Sequence, residues 1–174
     1  MVWLADDATG AGSLANLRKW WDVVQGEGER YGYFVKPSKS WLILKDSGKL
    51  DEAQHLFANS AIQITTAGKR HLGAVIGTAE NKTTYMEEKV EEWCNRLKNL
   101  ANIAKAQPQA AYIAYTHGEQ HRYTYFLRTI EGISELFKPL DEVINNNFLP
   151  ALFGDTNISE NERKILSLPV KDGE

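Results

Sequence analysis

The sequence predicts an α+β chain, and three observations lead there. Short apolar or alternating runs bounded by Gly, Pro and Ser fill the first part, to about residue 79. From about residue 80 onward apolar residues recur at three- and four-residue steps over long stretches, the spacing of amphipathic helices. No internal repeat or low-complexity tract interrupts this order, so the expected organisation is a mixed part over 1–79 and an all-helical part over 80–174.

Taken in order, residues 2–5 (VWLA) form a short apolar run read as a strand that ends at Asp6 and Asp7. Residues 13–25 read as a helix: Ser13 supplies an N-cap oxygen, Leu14, Leu17, Trp21 and Val24 share one face, and Gly26 and Gly28 end it. Residues 31–35 and 40–45 read as two strands around the turn Lys36-Pro37-Ser38-Lys39, where the proline ring presets the backbone angle. A short helix over 51–57, an alternating strand over 61–65 and a second strand over 71–76 complete this part. In the second part Met86, Val90, Trp93, Leu97, Leu100 and Ala104 define one long helix over 80–105, stopped by Pro108. Helices over 109–129 and 133–148, a loop through Gly154 and a short helix over 159–166 follow.

At 174 residues, with 43% hydrophobic and 25% charged side chains, the composition is that of a soluble globular chain with a real core. The net charge of -3 argues against a strongly basic nucleic-acid module, while leaving room for a local basic face. The one cysteine, Cys94, has no partner for a disulfide or a zinc cluster and reads as a small buried or half-buried residue. There is no signal peptide, and no segment reaches the ~18 apolar residues of a membrane span. These features imply an intracellular protein, of cytoplasm or nucleus, without a membrane partner.

Several groups carry potential chemistry. Asp6 and Asp7 follow a strand directly, and two carboxylates held close together favour a divalent cation over mutual repulsion. Their structural alternative is strand termination and helix capping by Asp7 with Thr9 or Ser13. Lys39, in its turn, either neutralises or protonates a phosphate leaving group or simply faces water. Lys89, Arg96, Lys105, Arg122 and Arg128 could line a phosphate-facing stripe, but Glu87, Glu88, Glu91 and Glu92 among them favour a salt-bridged helix face. His117 and His121 have the i, i+4 spacing of a metal pair without a third ligand, and His55 and His71 are isolated. Trp20, Trp21, Tyr31, Tyr33, Phe34 and Trp41 are dense enough either to build core or to stack on bases.

The stretches WLADD, SLANLRKWWDVV, GYFVKPSKSWLIL and RHLGAVIG, in that order, resemble the second half of a reverse transcriptase palm: motif C, motif D and the primer-grip region. The segments QPQAAYIAYTHGEQHRYTYFLRTI, ISELFKPLDEVINNNFLPALFG and NERKILSLPV are similar to the region beyond the palm in retroelement polymerases. The resemblance covers nearly the whole chain. It implies a partial polymerase palm, of short antiparallel strands with a packed helix, over 1–79, and a helical thumb-like region over 80–174. By the same resemblance, Asp6 and Asp7 match the paired aspartates that help hold the catalytic Mg²⁺ (or Mn²⁺) ions, Lys39 matches the motif D lysine near the pyrophosphate, and Leu72-Gly73 matches the primer grip. Lys89, Arg96, Arg122 and Arg128 would contact nucleic-acid phosphates from the thumb.

The implied reaction is RNA-directed DNA synthesis on an RNA template and DNA primer. A primer hydroxyl attacks a deoxynucleotide between two ions roughly 3.5 to 4 Å apart. Where the family usually has Tyr or Phe two residues before the first aspartate, this chain has Leu4, with Trp3 beside it. The family's further metal-binding aspartate and its fingers residues would precede Met1, and Leu168-Pro169 resembles the start of a motif continued beyond Glu174. The expectation is therefore a retroelement polymerase fragment, inactive as an isolated chain. Two other classes remain open: a non-catalytic helical nucleic-acid-binding or interaction protein derived from such an element, and an unrelated metal-dependent phosphohydrolase built on Asp6 and Asp7.

Overall fold

A computed structural model describes residues 2–4, 7–154 and 158–166. The chain is α+β and divides into two compact units, Met1–Thr78 and Ala79–Glu174.

The N-terminal unit contains β1 (Val2–Leu4) and β2 (Asp7–Thr9), then α1 (Leu14–Glu27), β3 (Trp41–Ile43), α2 (Leu50–Leu56), β4 (Gln63–Thr65), β5 (Gly68–His71) and β6 (Ala74–Gly77). Ser13 is the N-cap of α1, its hydroxyl accepting from the Asn16 backbone N–H. The helix runs through Gly26, because nothing at that position forces a turn. It buries Leu14 and Trp21 against Leu42, Leu44, Ala53 and Phe57, which together form the core of the unit. Arg18 on its side donates to the Leu56 carbonyl at 3.0 Å and lies over the Phe57 ring, closing the C-terminal end of α2 with a cation.

Among the described residues, the strand pairs β1–β2 and β5–β6 are antiparallel, whereas β3 and β4 run parallel. The expectation of antiparallel strands alone is corrected here. α2 lies between β3 and β4 and carries the chain back to its starting side, which makes the second strand run in the direction of the first. Residues 31–35 are not a strand. Gly28–Tyr31 is a 3-10 turn closed by left-handed Gly32, and residues 33–36 follow as irregular chain. The strand expected over 71–76 is present in part, as β6 from Ala74, while its first residues form a hairpin turn: Leu72 and Gly73 both have positive φ, 47° and 87°, so the chain reverses between β5 and β6.

The C-terminal unit is helical. The expected long helix is α3 (Ala79–Ala104), which buries Met86, Val90, Trp93, Cys94, Leu97, Ala101 and Ala104, one stripe at helical spacing. Pro108 opens α4 (Pro108–Ala114), occupying a first-turn position where a missing N–H costs nothing. α4 passes through a π-turn, Tyr115–Glu119, into α5 (Gln120–Thr129). After the break at Gly132, a 3-10 turn, Ser134–Phe137, leads into α6 (Lys138–Val143). A second π-turn, Ile144–Phe148, then leads into α7 (Leu149–Phe153), which ends at left-handed Gly154. α8 (Glu160–Leu166) follows. Tyr115 opens one π-turn and Phe148 closes the other, and their rings meet at 4.9 Å over Ala101, Ala104 and Ala111. Small side chains at those three positions let the helices approach closely enough for that contact. Among the described residues no helix is long and apolar enough to cross a membrane.

Candidate functional site

One strand of the N-terminal unit, β5, makes side-chain contacts with two other strands. In β5, Lys69 and His71 are two residues apart and so stand on the same face, about 7 Å from each other along the strand. The Lys69 ammonium lies 4.0 Å above the centre of the Trp41 ring, on β3. His71 Nε2 is 3.2 Å from the Thr9 hydroxyl, on β2. One face of β5 therefore receives both the strand that follows Lys39 and the strand that contains Asp7.

Asp7 shares its face of β2 with Thr9, again by the two-residue alternation, and is exposed. It pairs in register with Leu4 at the end of β1. Asp6 lies outside the described residues. Lys39 is exposed at the end of the 3-10 turn Pro37–Lys39. That turn is held to β4 by the Gln63 side chain, which donates to the Ser38 carbonyl at 2.6 Å, and by the Gln63 backbone N–H, which donates to Ser40 at 3.1 Å. Leu72-Gly73 forms the tip of the β5–β6 hairpin immediately after His71, and Leu72 is exposed there.

The Leu72 conformation carries a testable cost. A left-handed backbone at a residue with a branched side chain costs on the order of 1–2 kcal/mol, and the two positive-φ positions of a tight hairpin favour Asn-Gly. Leu72→Asn is expected to stabilise the N-terminal unit by about 1 kcal/mol. An unchanged denaturation midpoint would show that the turn is not strained.

The described residues do not by themselves make a metal centre. Among them no group of three or more His, Cys, Asp or Glu converges, and Asp7 is exposed. His117 sits inside the first π-turn with its Nδ1 3.0 Å from the Thr116 hydroxyl, while His121 is exposed on α5.

In the C-terminal unit the cationic stripe is largely neutralised. Lys89 meets Glu92 at 2.6 Å, and Arg96 donates from Nε and Nη2 to a single oxygen of Glu119, at 3.0 and 2.5 Å. Arg122 approaches the other Glu119 oxygen at 3.7 Å, whereas Arg128 is exposed. Lys89 holds the Glu92 carboxyl below its usual range, chiefly through their hydrogen bond. The key acid, Glu119, comes from the π-turn and not from the run of glutamates on α3, a pairing that helical spacing within α3 does not reveal. Behind it the Tyr123 hydroxyl is buried, and desolvation there pushes its pKa up. Burial likewise raises the Cys94 thiol.

Set against protein-family models, curated proteins and solved structures, the chain matches none.

Proposed function

We propose that this chain is part of a retroelement RNA-directed DNA polymerase, with the N-terminal unit serving as the later portion of a palm and the C-terminal unit as a thumb-like helical region. The observation that supports it is the Thr9–His71 hydrogen bond. It joins the strand of Asp7 to the hairpin tipped by Leu72-Gly73, so that two of the motifs that resemble the polymerase lie on one small scaffold. In this reading Asp6 and Asp7 would contribute two of the carboxylates for Mg²⁺ or Mn²⁺, with another supplied from outside this chain. Lys39 lies toward the leaving pyrophosphate, the hairpin tip supports the primer strand, and the partners are an RNA template, a DNA primer and a deoxynucleotide.

Calorimetric titration of the full chain with Mn²⁺ and Mg²⁺, beside an Asp6→Asn, Asp7→Asn double variant, tests this reading. Binding by the natural chain that disappears in the variant is the expected result, together with no primer extension by the chain alone, since the described ligand set is incomplete. Identical titrations for the two proteins would favour the second reading, a non-catalytic nucleic-acid-binding or interaction protein derived from the same scaffold. The exposure of Asp7 and the Glu-paired cations of α3 and α5 are the observations on that side.

A further inference from the structure

The π-turn between α4 and α5 is closed by an i→i+5 bond, the Gln120 N–H donating to the Tyr115 carbonyl. Such a turn holds one residue more than an α-helical turn. Its effect is rotational: every side chain after it points about 100° away from where an unbroken helix would send it.

That rotation matters because α4 and α5 lie against the same long helix. Ala111 of α4 is buried with Ala101 and Ala104 of α3, while Tyr123 and Phe126 of α5 are buried around Trp93, nearer the middle of α3. The buried faces of α4 and α5 must therefore point the same way. In an unbroken helix, Tyr123, Phe126 and Ile130 would stand about 60–120° round the axis from Ala111; with one residue absorbed in the turn they stand within about 40° of it. All three are buried, as the second figure requires.

The two ends of the turn are tied to neighbours. The Tyr115 ring meets Phe148 at 4.9 Å, and Glu119 accepts from Arg96 of α3 at 3.0 and 2.5 Å. Between them Gly118 is exposed, and nothing lies within 4 Å of the position a Cβ would take.

We propose that the Tyr115–Glu119 turn is a register device. It takes up one residue that the packing of α4 and α5 against α3 does not use, and the Glu119–Arg96 clamp fixes where that surplus residue is held. Gly118 can then be removed outright: the residues before it keep the phase of α4, those after it keep the phase of α5, and the turn closes into continuous α-helix. The device is independent of the polymerase reading and of Asp6 and Asp7.

Three variants of the full chain test it, followed by near-ultraviolet circular dichroism, which reports fixed aromatic packing, and by guanidinium denaturation. Deletion of Gly118 should keep the aromatic signal and a cooperative transition, with a midpoint at or above that of the natural chain, since glycine is disfavoured inside a helix. Deletion of Lys98 is the contrast. It is exposed on α3, a continuous α-helix with no surplus to give up, so its loss turns Ala101 and Ala104 about 100° from the Trp93 stripe and should lower the midpoint and weaken the aromatic signal. Glu119→Gln should keep the aromatic signal while speeding hydrogen exchange at the amides of residues 115–120 by at least about tenfold, the loss expected for a hydrogen bond between charged groups. A Gly118 deletion as damaging as that of Lys98, or a Lys98 deletion as well tolerated as that of Gly118, would overturn the register device. Unchanged exchange in Glu119→Gln would overturn the clamp.

Discussion

Trp93→Ala is expected to lower the stability of the C-terminal unit by about 3–5 kcal/mol, the range for deleting a large aromatic from a packed core. Trp93 is 2% exposed on α3, and its ring meets Tyr123 at 5.3 Å, Phe126 edge-on at 5.1 Å and Phe137 at 5.9 Å. Those three rings come from α5 and from the 3-10 turn before α6, so one side chain joins two separate segments to the long helix. Each aromatic pair contributes roughly 0.5–1.5 kcal/mol beyond area burial, and all three are lost together. Guanidinium denaturation followed by circular dichroism reads the effect. Trp93→Phe should recover much of it, and Tyr112→Ala, at a position 54% exposed, should change stability by less than about 0.5 kcal/mol. A Trp93→Ala variant within 1 kcal/mol of the natural chain would show that the cluster relaxes around the gap.

The second large effect is expected at Gly77. A Cβ there would lie 2.3 Å from the Ala67 carbonyl oxygen and 2.6 Å from the Gly68 Cα. Both are backbone atoms, with no side chain to swing aside, and the same carbonyl accepts the Thr78 N–H at 2.8 Å. Gly77→Ala must therefore pry apart the open end of the β5–β6 hairpin, at a cost of about 2–3 kcal/mol. Because that hairpin carries Lys69, His71 and Leu72-Gly73, the contacts with Trp41 and Thr9 should loosen too. Faster hydrogen exchange at the backbone amides of residues 68–77 is the expected signature. Gly26→Ala is the contrast: nothing lies within 4 Å of its Cβ position and it is helical, so the same substitution should add roughly 0.5–1 kcal/mol there. Similar behaviour of the two variants would refute the steric argument.

The helices were the legible part of the fold. The Ser13 cap, the Leu14 and Trp21 face of α1 and the Met86-to-Ala104 stripe of α3 all follow from contacts between residues three and four apart, which the order of the sequence contains directly. The π-turns at Tyr115–Glu119 and Ile144–Phe148 were not legible. They arise where Tyr115 and Phe148 meet across separate helices, and the extra residue in each turn answers that contact. In the candidate site the residue types were legible and their company was not. Asp7, Lys39 and Leu72-Gly73 stood out in the sequence, while His71 read as isolated, Thr9 as a capping alternative, and Lys69 gave no signal, although these three tie their strands together. Alternation marks a strand without naming its partner, and Glu119 as the acid for Arg96 and Arg122 was hidden for the same reason.

By itself the sequence determined where this chain is helical, which faces those helices bury, and that a strand-bearing part precedes a helical one, because each depends on interactions within a few residues. Only the tertiary structure decided that β3 and β4 run parallel, that Leu72-Gly73 reverses the chain, and that β5 gathers the strands of Asp7 and Trp41 on one face. It also decided which aromatics are core and which stand in water: Trp21 has α2 and β3 to pack against, whereas Tyr31 and Phe34 stay exposed. These outcomes depend on residues tens of positions apart, and a local pattern carries no record of which distant surface it will meet.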